Sequence, residues 1–187
     1  MISLIIGGMD SGKSKYAEDL VRKSLSKANT DGADSKKSYY IATMIPYGEF
    51  GRQKIKKHQD MRRDIGLITI EDPYLEQLEK VQDGDIILME DLSNLVANYM
   101  FERQTDYLAA LDELLELGES NDRKLIIVAL RLDANEKADD GQTDKYDTQT
   151  KDYICSMNKA IKYIDSRADY VVEMKDRVPL ICKGIYD

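Results

Sequence analysis

Gly7, Gly8, Met9, Asp10, Ser11, Gly12, Lys13 and Ser14 follow the spacing GxxxxGK[ST]. Glycines so placed let the backbone wrap an anion with its N–H groups turned inward, and a helix opening at the end of the loop adds partial positive charge. Lys13 is then placed to neutralise β and γ oxygens of a nucleoside triphosphate, and Ser14 to ligate Mg²⁺. A plain glycine-rich turn has no use for Lys-Ser at that offset. Such a loop also needs an acid at the end of a neighbouring buried strand, and the apolar run Ile86 to Met89 closes on Glu90 and Asp91. Glu90 is assigned to the metal, through water. Asp91 is assigned to the cap of the following helix, because caps prefer Asp and helix starts favour negative charge.

The only histidine, His58, lies in a basic stretch that holds Arg52, Lys54, Lys56, Lys57, Arg62 and Arg63 against Asp60 alone. Helical spacing puts Ile55, His58 and Arg62 on one side. Three roles fit the imidazole. It can donate a hydrogen bond to a phosphate, attack a nucleotide α-phosphorus and carry the nucleotidyl group, or serve as a satisfied structural histidine. The neighbouring cations would hold its pKa down and stabilise charge on a transferring phosphoryl group. Spacing alone does not choose. One histidine excludes His–His metal sites, and Cys155 and Cys182, with no CxxC, are expected as reduced, partly buried thiols.

These groups need a scaffold, and short β-branched runs alternate with amphipathic stretches along the whole chain, as in βα units stacked on a parallel sheet. Expected strands are Ile2–Ile6, Tyr39–Thr43, Leu67–Ile70, Asp85–Met89, Lys124–Leu130, Tyr170–Met174 and Leu180–Lys183, the last two pairing antiparallel. Expected helices are Gly12–Ser26, Arg52–Arg63, Tyr74–Val81, Leu92–Phe101, Tyr107–Leu117 and Gln149–Asp165. Asn29–Lys37 and Asp133–Thr148 are polar and are expected as loops. With 187 residues, 42% hydrophobic, the chain has room for one domain spanning 1–187. Its net charge of −8 argues against a general binder of nucleic acid or anionic membranes. No run is long enough for a signal-peptide core or a membrane span, so a cytoplasmic protein is expected.

Beyond the loop, the chain carries IIGGxxSGKSxYAE at Ile5–Glu18, YIATMxP at Tyr40–Pro46 and GRxxIxxHxxMR at Gly51–Arg62. TIE at Thr69–Glu71, IILMEDLSNLVANYMF at Ile86–Phe101 and a C-terminal block with RADYVVE and VPLICKG follow. In these blocks it resembles the bifunctional adenosylcobinamide kinase / adenosylcobinamide-phosphate guanylyltransferase family of the cobalamin pathway. The resemblance implies a three-layer α/β fold of the P-loop NTPase kind, with a mostly parallel sheet and one antiparallel C-terminal strand, assembled as a homo-oligomer, a trimer in the family. It implies phosphorylation of adenosylcobinamide by a nucleoside triphosphate, ATP or GTP with Mg²⁺, then transfer of GMP from GTP through a histidine to the cobinamide phosphate.

Carried over by position, His58 would be the guanylylated nucleophile and Gly7 to Ser14 the phosphate cradle. Ala42, Thr43, Met44, Gln59, Asp60, Met61, Arg62, Glu71 and Glu90 would complete the GTP site. Two departures stand out. Gln59 occupies a position that is usually Arg or Lys, and the strand ending at Leu130 runs into Arg131-Leu132-Asp133 instead of the family's TNEV segment. The alternatives are a P-loop small-molecule kinase without guanylyl transfer, in which His58 and Arg62 only bind phosphate, and a member that binds nucleotide but has lost one activity.

Overall fold

The structure is a computed structural model that describes residues 1–30, 37–46, 48, 65–82, 85–120, 123–132 and 147–186. The expected helix Arg52–Arg63, with His58, lies outside the described residues, as does most of the segment Asp133–Thr148. Seven strands among the described residues form one sheet: β1 (Ile2–Gly7), β2 (Ser38–Ala42), β3 (Ile68–Glu71), β4 (Ile86–Glu90), β5 (Lys124–Leu130), β6 (Tyr170–Lys175) and β7 (Val178–Lys183). Their order is β3-β2-β4-β5-β1-β6-β7. All neighbours pair parallel except β6 with β7, which run antiparallel.

Side chains alternate across each central strand and so build two cores. Ile2, Leu4, Ile87, Met89, Leu125 and Ile127 face one side, where α2 (Leu92–Ala97), α3 (Leu108–Glu119) and α4 (Thr148–Arg167) pack. Ile5, Ile86, Leu88, Ile126 and Val128 face the other, against Ala17, Leu20 and Val21 of α1 (Lys13–Thr30). The result is three layers. α1 runs past its expected end at Ser26, into the segment read from sequence as a loop.

Three elements depart from the expectation for local physical reasons. Tyr74–Val81 is not a helix but ends in a single 3₁₀ turn, Leu78–Val81. Leu75 is left-handed, at φ 58°, which no helix tolerates. The Asp72 carboxylate accepts the N–H groups of Glu76 and Gln77 at 2.9 and 2.8 Å, closing a turn in place of a helical start. The expected helix Leu92–Phe101 is α-helical only to Ala97 and then widens into a π-turn through Arg103. At that widening Asn98 donates its side-chain amide to the carbonyls of Thr43 and Pro73, at 2.8 and 2.9 Å. The last strand begins before Pro179, at Val178, because a sheet edge tolerates a residue without an N–H. Cys155 and Cys182 are free thiols, and both are exposed, not partly buried.

Candidate active site

The buried strand β1 delivers Gly7 to the carboxyl edge of the sheet, where open α/β sheets place their ligands. A Cβ on Gly7 would collide with Ser11 Oγ and approach the Met174 carbonyl at 3.0 Å, so the turn needs glycine there. Gly12, at φ 87°, closes the loop, and α1 starts at Lys13 with the Tyr16 N–H on the Gly12 carbonyl at 3.0 Å. Lys13 reaches back to donate to the Gly8 carbonyl at 3.0 Å, which holds its ammonium across the mouth of the loop. Ser11 Oγ is buried with no hydrogen-bond partner among the described residues. A cavity of about 760 Å³ opens here, lined by Asp10 to Tyr16 with Asp19, Met174 and Arg177.

The acidic side comes from β4. Ser14 Oγ donates to Glu90 Oε1, and the Tyr40 hydroxyl donates to Glu90 Oε2 at 3.2 Å. The candidates from the three adjacent strands end in one row, with Ala42 of β2 in register with Glu71 of β3 on one side and Glu90 of β4 on the other. Thr43 is fully buried beside that row. Its N–H meets the Glu90 carbonyl at 3.2 Å, and its Oγ1 donates to the Asp91 carbonyl at 2.7 Å and accepts the Asp91 N–H at 2.8 Å. Met44 follows half-buried and Glu71 is exposed.

Asp91 caps α2: its Oδ1 accepts the Asn94 N–H at 2.8 Å and the Ser93 hydroxyl. Burial pushes its carboxyl above the usual range, outweighing those two hydrogen bonds. The Tyr153 hydroxyl, which donates to the Ser93 carbonyl at 3.0 Å, is pushed up to about 12 by burial first and by the neighbouring Asp91 charge second. His58, Gln59, Asp60, Met61 and Arg62 lie outside the described residues.

Ser14 and Glu90 touch, so one hydroxyl and one carboxylate oxygen can share a hard cation. Among the described residues no group of three or more His, Cys, Asp or Glu could enclose a metal. That donor set fits Mg²⁺ carried by phosphates, which keeps its waters and takes only one or two protein ligands.

Three residues at the site have partners that the sequence did not assign to them. Tyr40 was read as part of a strand and of the YIATMxP block, and Asn98 as part of a helix and of the IILMEDLSNLVANYMF block, neither with a role in the site. Arg131, which stands where the family's TNEV segment would begin, donates its N–H to the Gly7 carbonyl at 2.9 Å and pairs with Glu173 at 3.0 Å. Its spacing from the loop is long in sequence and short only because β5 lies next to β1.

The comparisons with known proteins bear on this arrangement. Residues 3–174 match the model of the CobU family, cobinamide kinase / cobinamide phosphate guanyltransferase. The chain belongs to that family. Members are transferases, bifunctional kinases and guanylyltransferases of cobalamin biosynthesis that use a nucleoside triphosphate on a corrinoid substrate. No curated protein matches the chain. Among solved structures, a KaiC-like protein from the hyperthermophilic archaeon Pyrococcus horikoshii OT3 superposes with a TM-score of 0.53 at 13% identity. It covers 98% of this chain and 78% of its own, a likeness of fold alone. No helix of the described residues is long and apolar enough to cross a membrane.

Proposed function

We propose that this protein phosphorylates the aminopropanol hydroxyl of adenosylcobinamide and then transfers GMP from GTP to adenosylcobinamide phosphate through a GMP adduct of His58, giving adenosylcobinamide-GDP. Support comes first from the contact between Ser14 and Glu90 beside Lys13, which gathers a phosphate cradle, a cation and a metal-binding acid at one sheet edge. In the kinase step the substrate hydroxyl oxygen bonds to the γ-phosphorus of ATP or GTP. The bond to the β–γ bridging oxygen breaks, the hydroxyl proton is lost, and the nucleoside diphosphate leaves. Lys13 and the loop N–H groups balance charge on the moving phosphoryl group. Ser14 and Glu90 would hold Mg²⁺, which when bound neutralises the β and γ oxygens.

In the second step a neutral ring nitrogen of His58 bonds to the α-phosphorus of GTP as the bond to the pyrophosphate oxygen breaks. An oxygen of the cobinamide phosphate then attacks the same phosphorus, the P–N bond breaks, and the histidine is restored. Ala42, Thr43, Met44, the segment Gln59 to Arg62 and Glu71 complete the GTP site in this proposal. Copies assemble as a homo-oligomer, a trimer by family resemblance, in the cytoplasm.

Intact-protein mass after incubation with GTP and Mg²⁺ tests the chemistry. Wild type should gain the mass of one GMP group and His58→Ala none. No gain in wild type, or an equal gain in His58→Ala, overturns the covalent step. In that case, phosphorylated cobinamide formed from ATP would identify a P-loop kinase without guanylyl transfer.

A further inference from the structure

Arg177 occupies a backbone position that ordinarily belongs to glycine or asparagine. It is the second residue of the two-residue β6–β7 turn, with φ 66° after φ 49° at Asp176. Two consecutive left-handed residues make the turn that suits a tight hairpin, and every non-glycine residue there carries strain. The hairpin tip lies against the phosphate loop. The Arg177 N–H donates to the Ser11 carbonyl at 3.2 Å, and a Cβ on Gly12 would touch the arginine's Cα, Cβ and Cγ at 3.5 to 3.6 Å. Arg177 also lines the same cavity as Lys13 and Ser14.

Its charge is uncommitted. Among the described residues its guanidinium has no carboxylate partner, although the chain carries 35 acidic side chains against 27 basic ones. The hairpin carries two carboxylates: Glu173, already shared by Arg131 at 3.0 Å and Lys175 at 3.5 Å, and Asp176, the exposed turn residue before Arg177, which forms no ion pair with it. Lys15, on the cavity wall, pairs with Asp19 at 3.8 Å. A strained, exposed arginine with no partner, held by its own backbone against an anion-binding loop, is a poor choice for stability alone. A guanidinium fork matches a phosphate, which it can engage through two parallel hydrogen bonds.

We propose that Arg177 binds a phosphate of the nucleotide held by the Gly7–Ser14 loop, making the β6–β7 hairpin tip a wall of the nucleotide site. The proposal rests on that loop being a nucleoside triphosphate site, so the test carries a control for each. GTP binding with Mg²⁺ is measured by calorimetry at two salt concentrations for wild type, Arg177→Gly, Arg177→Asn, Arg177→Lys and Lys13→Ala, with thermal melting of each.

Arg177→Gly and Arg177→Asn should bind GTP about tenfold more weakly, the usual scale for losing a charged hydrogen bond, with a shallower salt dependence. Both relieve the left-handed strain, so their melting temperatures should stay level or rise by up to about 4 °C. Arg177→Lys should keep part of the affinity without the thermal gain. A structural role would instead lower melting temperature and affinity together in the glycine and asparagine variants, and that result overturns the proposal. So does wild-type affinity in Arg177→Gly while Lys13→Ala loses binding. If Lys13→Ala also binds normally, the loop is not the triphosphate site, and the proposal falls with it.

Discussion

Glu90 has both carboxylate oxygens engaged, one by Ser14 and one by Tyr40, so its orientation is fixed before any nucleotide arrives. Replacing it with Gln keeps the shape and an acceptor oxygen but removes the charge a metal needs. Glu90→Gln should lower Mg²⁺-dependent turnover on the order of a hundredfold, with the melting temperature little changed. Steady-state kinetics across a Mg²⁺ titration checks this, and undiminished turnover would remove Glu90 from the site. Its neighbour Asp91 has a different fate. Because burial raises its pKa in the fold, Asp91 holds its proton more tightly folded than unfolded. Its contribution to stability is therefore greatest at low pH and declines as pH rises from the ordinary carboxylate range through the raised value. Asp91→Asn keeps the cap acceptor and cannot ionise, so its stability relative to wild type should improve between pH 4 and pH 7. Asp91→Ala should lose about 1 kcal/mol at pH 4, the usual cost of a lost cap, and that deficit should shrink toward pH 7 because alanine also escapes the cost of ionising a buried carboxyl. Urea melts at both pH values decide it, and a gap between wild type and Asp91→Asn that ignores pH would contradict it. At this scale the loop glycines, Lys13 and Ser14 were legible because a short motif states them, and the two acids because a buried apolar run ends on them. The partners of Tyr40 and Asn98 were not, since each is met only when β2, β4 and the π-turn are brought together.

Elements were legible where burial on both faces leaves a continuous apolar run. β5 spans the expected Lys124–Leu130 unchanged, while Tyr74–Val81 failed because one left-handed leucine and one aspartate outweigh a helical pattern. Close approach between elements is written in a single residue, Gly118, near the end of α3. A Cβ there would lie 2.6 Å from Leu125 Cδ2, 2.8 Å from Leu125 Cβ and 3.2 Å from Ile2 Cγ1. Gly118→Ala therefore sets two effects against each other. Helix propensity favours alanine by about 1 kcal/mol, and overpacking costs about 1–3 kcal/mol. Leu125 Cδ2 can swing away, but its Cβ is tied to a central strand and cannot. Overpacking should win, lowering stability by roughly 1 kcal/mol, seen as a lower urea midpoint with unchanged m-value. A raised midpoint would mean that α3 can lift off the sheet at little cost.

Across the whole molecule, the sequence announced parallel βα units but not their order, because nothing local encodes which strand a crossover returns to. That order matters to the site. β5 separates β1 from β4, so the loop after β1 and the acid ending β4 stand two strand spacings apart, about 10 Å, which Ser14 at the start of α1 spans to reach Glu90. The same order leaves β7 at an edge. Among the described residues eight large apolar side chains are well exposed, and four of them, Val178, Leu180, Ile181 and Ile185, sit on β7 or just after it. Edge strands of monomers are normally guarded by charge, yet β7 carries none from Val178 to Cys182. An acidic chain gains by pairing copies at an uncharged surface, where like charges do not meet. The proposed assembly should therefore use this edge. Light scattering should give a mass about three times the 21.4 kDa chain. Ile181→Lys, at a position 64% exposed, should dissociate the assembly without altering the circular dichroism of the fold. A wild-type mass of one chain would end the proposal of assembly, and an unchanged mass in Ile181→Lys would move the contact away from β7. Because the β6–β7 tip also touches the phosphate loop through Arg177, dissociation at this edge should weaken GTP binding as well, which calorimetry on the same variant reads directly.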